Sequence, residues 1–196
     1  MQFDGTGDGV HLATEHADFN FGTGDFTIDC WANFSATAAS YYIFETGTYT
    51  TGISWIWSSG GYWNVYISNG SKAITNSTTN NADWAPTTGQ WYHLALQRRK
   101  VSSDAARLSI FVDGIEFCQA TSALALGSVS SATHGTSIGS EATTPGANSM
   151  NGYIDNFRVS NVARYRGNFT PPGAAYPLTG LFSKDSAGTE YMLTPA

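Results

Sequence analysis

An all-β fold, two antiparallel sheets packed face to face as a β-sandwich, is what this 196-residue sequence predicts, on three observations. Apolar and polar residues alternate over short runs, the period of a strand with one buried face. The 21 glycines, with abundant Ser, Thr and Asn, fill the spaces between runs and supply turn chemistry. No stretch carries apolar residues at helical spacing for long enough to make a helix of ordinary length.

Taken in order, Val10-His-Leu-Ala13 predicts a short strand after a Gly-rich turn. Phe26 to Phe34 is the first long strand, with Phe26, Ile28, Cys30, Ala32 and Phe34 in phase on one face. Strands over Tyr41–Thr46, Gly52–Ser58 and Tyr62–Ile67 follow, the last two joined by Ser58-Ser-Gly-Gly61. Asn69-Gly70 tolerates positive φ at both positions and predicts a hairpin into Lys72–Thr75. Residues 75–89 are polar, contain Pro86, and read as a surface loop carrying Trp84. Trp91–Arg98 is a strand, and Arg107–Val112, Asp113-Gly114 and Ile115–Gln119 form the clearest hairpin. Leu124–Leu126 predicts a short strand, Thr136–Ser140 another, and Gly152–Ser160 a further long one; Val162–Tyr165 predicts one helical turn.

Bulk composition removes several functions. Charged residues are 12% and the net charge is −6 with nine Lys plus Arg, too few cations for a basic stripe against phosphates, so no nucleic-acid partner is expected. No segment approaches the ~20 apolar residues of a membrane span. The first residues lack the basic start and apolar run of a secretion signal. Cys30 and Cys118 are compatible with one bridge but do not require it, and Cys30 reads as a small core residue.

Gly-Tyr-Ile-Asp-Asn-Phe-Arg-Val-Ser at 152–160, Ala-Arg-Tyr at 163–165 and Phe-Thr-Pro-Pro at 169–172 resemble the closing strand and tail of a laminin G-like, concanavalin A-like jelly roll. Phe3-Asp-Gly-Thr-Gly, the strand ending in Cys30-Trp31, the Trp-x-His strand at 91–93 and the Asp113-Gly114 turn resemble the same family in the same order. The resemblance implies that the first and last strands of a 1–172 domain lie side by side, with 173–196 an extension packing on the sandwich or on a partner. It resembles most the version found in bacteriophage and bacterial surface proteins. That implies a non-catalytic virion surface protein, in capsid decoration or tail-fibre adhesion, made in the host cytoplasm and displaying a glycan-binding-like surface. Its partners would be other virion proteins, further copies of itself, and cell-surface polysaccharide. The alternative is an extracellular lectin module of a bacterial adhesin or polysaccharide-degrading enzyme.

Laminarinase-type relatives of this fold place two carboxylates close together on one strand. Glu15, Glu45, Glu116, Glu141 and Glu190 stand apart from one another, and no catalytic role is expected. Gly135-Thr-Ser-Ile-Gly139 matches a nucleophile-elbow pattern but lies in a strand with no helix after it, so chance explains it. The four histidines have no metal-ligand spacing, and His93 is expected to be structural. Calcium is the one cofactor the resemblance raises, as a structural ion near the paired first and last strands, with Asp155 and Asp4 as donors. For a glycan, stacking aromatics and rim amides are required; Trp84, Tyr62, Trp63, Tyr42 and Asn81 are the candidates, with Trp55 and Trp57 assigned to the core.

Overall fold

The fold is known from a computed structural model, which describes residues 1–12, 14–68, 70–74, 84–131 and 134–173, and the backbone of 182–184 and 190–192. In chain order the strands are β1 (Gln2–Asp4), β2 (Val10–Leu12), β3 (Phe26–Phe34), β4 (Tyr41–Thr46), β5 (Ile53–Ser58), β6 (Tyr62–Ile67) and β7 (Lys72–Ile74). They continue as β8 (Trp91–Lys100), β9 (Ala106–Val112), β10 (Ile115–Ser122), β11 (Thr136–Ile138), β12 (Asn151–Ser160), β13 (Phe182–Lys184) and β14 (Glu190–Met192).

Two six-stranded sheets form the body: β1-β12-β3-β8-β9-β10, called here the first sheet, and β2-β11-β4-β5-β6-β7, the second. β1 pairs with β12 antiparallel, Phe3 opposite Gly152, so the two ends of the module do zip together as the motifs imply. Chain distance along that contact is large, and its closure defines the sandwich.

The alternation read from sequence decides what each sheet buries. On β3 the residues Phe26, Ile28, Cys30, Ala32 and Phe34 face the second sheet, and Tyr92, Leu94 and Leu96 of β8 do the same. They meet Ile53, Trp55 and Trp57 of β5 and Trp63, Val65 and Ile67 of β6. Trp55, Trp57 and Trp63 are fully buried and their rings contact one another, with centroids 5.7 and 5.4 Å from Trp63. Arg98, in phase with this inward face, is also fully buried. Its guanidinium donates to the carbonyls of Gly24, Gly127 and Gly22 at 2.7, 2.6 and 2.6 Å and lies over the Phe26 ring. Burial lowers its pKa to about 10, still well above neutrality, so it works as a charged clamp on three loop carbonyls.

Asp113 and Gly114 both take positive φ (48° and 78°), as a two-residue hairpin turn between antiparallel strands demands. Gly114 has a second reason to lack a side chain: a Cβ there would sit 1.8 Å from the carbonyl oxygen of Phe169. Several expectations are corrected. Leu124–Leu126 is a short 3-10 turn. Val162–Tyr165 is no helical turn but part of an irregular strap, 161–172, that crosses the outer face of the first sheet. Its backbone groups bond to Thr27 and Gln97 instead of to each other. Cys30 and Cys118 are both buried and unpaired; three strand spacings separate β3 from β10, about 14 Å, well beyond disulfide reach. Asn69, and residues 75–83 of the predicted surface loop, lie outside the described residues, as do most of 173–196. Among the described residues no helix is long and apolar enough to cross a membrane.

Candidate functional site

The glycan candidates named from sequence do not form one surface. Trp63 is fully buried in the core, which corrects its assignment to a binding face: strand alternation on β6 points it inward with Val65 and Ile67. Trp84 is half-buried and packed rather than presented. It stacks on Trp63 (6.3 Å, 10°), meets Tyr92 edge-on (4.9 Å, 87°) and touches Phe117 (6.0 Å), so it plugs the gap between the sheets. Tyr62 and Tyr42 are half-buried on the outer face of the second sheet. Asn81 lies outside the described residues.

The metal pair also fails to meet. Asp4 is opposite Asn151 on β12, and Asp155 stands four residues further along that strand, about 13 Å away. Each carboxylate is used locally: Asp4 accepts the Thr6 N–H and Asp155 the Asn156 N–H, both at 2.8 Å. Among the described residues no three His, Cys, Asp or Glu side chains gather around one point. The two aspartates therefore do not fit a shared calcium ion.

A surface the sequence reading passed over is built on the outer face of the first sheet. Asn33 on β3 is in register with Tyr153 of β12 on one side and Trp91 of β8 on the other. Trp91 is 43% and Tyr153 38% exposed, and their rings lean together over Asn33 with centroids 6.2 Å apart. Asn33 is held from below by donating to the Gly89 carbonyl at 2.9 Å. In the next row Asp155, exposed, flanks the half-buried Trp31, whose ring meets buried His93 edge-on at 5.5 Å. Burial, the largest influence, lowers the His93 pKa and so favours the neutral imidazole. The result is a bipartite aromatic patch with an exposed carboxylate at its rim. The sequence signal was available: Trp91 is out of phase with Tyr92, Leu94 and Leu96, and so had to face away from the core.

The other half of this face is closed by the strap. Asp29, fully buried, receives the Arg158 guanidinium in a fork (3.0 and 2.7 Å) and the Tyr165 hydroxyl at 2.7 Å. Gln97 clamps the Tyr165 backbone, donating to its carbonyl and accepting from its N–H, each at 2.7 Å. Tyr165 stacks flat on Phe169 at 3.6 Å. Burial, with the Asp29 charge, pushes the Tyr165 phenol up. The most recognisable motif of the chain is thus a latch.

On the second sheet, Ser137, Glu45, Ser54 and Tyr66 form one row across β11, β4, β5 and β6. Glu45 is 1% exposed; it accepts from Ser54 Oγ at 2.5 Å and from the Ala142 N–H at 2.7 Å. Burial raises its pKa above the usual carboxylate range despite these bonds. Loop 141–149 covers it, so it anchors a loop and is closed to a substrate. Where the sheet edges part, Val10, Leu12, Phe19, Phe44 and Phe157 line an apolar cleft of about 420 Å³, which offers a hydroxyl-rich ligand few partners.

The family model described as the concanavalin A-like lectin/glucanases superfamily (laminin G type) matches residues 4–166. Among curated proteins none matches the sequence. Of solved structures, a Bacteroides ovatus protein whose carbohydrate binding is itself inferred is similar over 93% of this chain and 53% of its own, with 18% identity and a TM-score of 0.62. The heptameric SAP-like pentraxin of Limulus polyphemus is similar over 84% and 76%, with 17% identity and a TM-score of 0.56. Trypanosoma rangeli sialidase is similar over 83% and 25%, with 14% identity and a TM-score of 0.55. The chain spans about half of the first of these and a quarter of the sialidase. At these identities the likeness is one of fold.

Proposed function

Because the chain belongs to the concanavalin A-like lectin/glucanase superfamily, we propose that it is a non-catalytic carbohydrate-binding domain that takes sugar on the Trp91–Tyr153 surface. The observation that carries this reading is the exposure of two adjacent aromatic rings on a face where folding has no use for them. A pyranose has one face of C–H groups that stacks on such rings, and hydroxyls at its edge that bond to amide and carboxylate groups. Asp155, exposed at the edge of the patch, is placed to accept from such a hydroxyl, while buried Asn33 sets the spacing of the two rings. Hydrolysis would need two accessible carboxylates about 5–5.5 or 6.5–9.5 Å apart across the bond. Asp155 is the exposed carboxylate on this patch, and Glu45 is covered.

A glycan array followed by titration calorimetry tests the reading. Wild-type protein binds a defined glycan class, and Trp91→Ala loses at least about tenfold in affinity while staying folded. Absence of any glycan ligand, or a Trp91→Ala variant that binds like wild type, overturns it.

The setting we propose is the surface of a bacteriophage virion, where the domain is displayed by capsid decoration or tail-fibre adhesion. Low charge and a Ser-, Thr- and Asn-rich surface support this setting. A virion component would be a symmetric multimer in the native assembly, measurable by mass. The second setting is a lectin module of a secreted adhesin or polysaccharide-degrading enzyme. It is favoured by the chain covering only half of the Bacteroides ovatus protein, and it predicts a sugar-binding monomer.

A further inference from the structure

We propose that the same outer face carries a second site, at the end of β8 opposite Trp91, which binds one oxyanion group: a sulfate, a phosphate or a carboxylate. This inference stands independently of sugar binding. The chain is acidic, net −6 with nine Lys plus Arg, yet three arginines line one small cleft between the strap and the sheet. Arg99 on β8 is directly opposite Arg107 on β9, a like-charge pair that costs stability unless something neutralises it. Arg166 comes in from the strap, placed there by the Gln97 clamp on its neighbour Tyr165.

One carboxylate lines the cleft, Glu116, and it is consumed by Arg107, taking both Nε (3.1 Å) and Nη2. Arg99 and Arg166 make no hydrogen bond or ion pair with the described residues. Three guanidiniums against one carboxylate leave two positive charges facing a cleft of about 30 Å³. At its floor Ser109 is 3% exposed, and its hydroxyl has no partner among the described residues. That hydroxyl can donate to a ligand oxygen in the cleft. The Gln97 amide oxygen, also at the cleft, is already committed to Tyr165 and Thr27. Two guanidinium forks and a hydroxyl suit an oxyanion with several acceptor oxygens better than a lone halide.

The experiment follows the arginine Nε–H resonances of the full chain during titration with sodium sulfate, phosphate or acetate, against sodium chloride at matched ionic strength. Expected are saturable shifts at Arg99 and Arg166 with at least one oxyanion, and the order of the three separates sulfate, phosphate and carboxylate sources. Arg99→Gln and Arg166→Gln, each at a surface position, should weaken that saturation by about tenfold. Linear responses that chloride reproduces, or variants that saturate like wild type, overturn the site. Trp91→Ala should leave these titrations unchanged, so failure of the sugar surface and failure of the oxyanion site are told apart.

Discussion

The outer face of the first sheet divides into two halves built by the same strands in the same register, and the halves spend their side chains differently. Under the strap, the outward-facing Thr27, Asp29 and Gln97 are all consumed: Thr27 accepts from the Arg164 N–H at 3.1 Å, Asp29 holds Arg158 and Tyr165, and Gln97 holds the Tyr165 backbone. Beyond the strap, Trp91, Tyr153 and Asp155 meet solvent, and two of them are large aromatics. The comparison teaches that the family motif and the candidate binding surface are neighbours with separate jobs. Motif residues fasten a segment; the residues free to bind are those the segment leaves uncovered.

The largest expected effect breaks the covered half. Arg158→Ala leaves the Asp29 carboxylate fully buried with its counter-charge gone, and should cost about 3–5 kcal/mol by denaturant unfolding. A cost under about 1 kcal/mol would mean that the strap contributes little to holding the sheet face.

Two tryptophans sharpen the contrast between packing and presentation. Trp84→Ala removes a ring packed on Trp63, Tyr92 and Phe117 and should cost about 2–3 kcal/mol, with sugar affinity unchanged once the protein is folded. Trp91→Ala should cost less than about 1 kcal/mol, because its partner Tyr153 is itself exposed, while removing glycan binding. If the two variants exchange these outcomes, Trp84 is the ligand-facing residue and the open half is inert.

The smallest effect concerns the buried carboxylate of the second sheet. The folded-state pKa of Glu45 lies above its ordinary value of 4.5, so the native state holds this proton more tightly than the unfolded chain does. Its contribution is therefore most favourable below 4.5, is lost as pH rises through the folded-state value, and is a constant penalty above it. Relative to Glu45→Gln, wild type should lose stability as pH climbs from 4.5, a trend that parallel unfolding curves would detect. A flat difference would show that the Ser54 and Ala142 bonds fully offset desolvation.

Much of the fold was legible because strand alternation is local. The inward set on β3 and β8, the Asp113-Gly114 turn, and the assignment of Trp55 and Trp57 to the core all follow from period two. The site was less legible for an equally physical reason. Trp63 adjoins Tyr62 at a hairpin and Trp84 lies in a polar stretch, which suggested a surface. Trp63 obeys the alternation of its own strand and goes in, and Trp84 follows it to fill the gap between sheets. Trp91 and Tyr153 are far apart in the chain and share a patch only through their common neighbour Asn33. Arg99 and Arg166 are brought to one cleft by the path of the strap, which local periodicity read as a helical turn.

Residue order alone settled which side chains face inward and where the turns fall, since sterics, backbone φ and apolar burial act over a few residues; which ends pair was implied by the family resemblance and is seen in the β1–β12 contact. Only the tertiary structure decided which outward-facing groups remain available. That depends on where an irregular segment lies across the sheet, and a segment without periodicity takes its path from the side chains of Asp29, Gln97 and Phe111 that catch it.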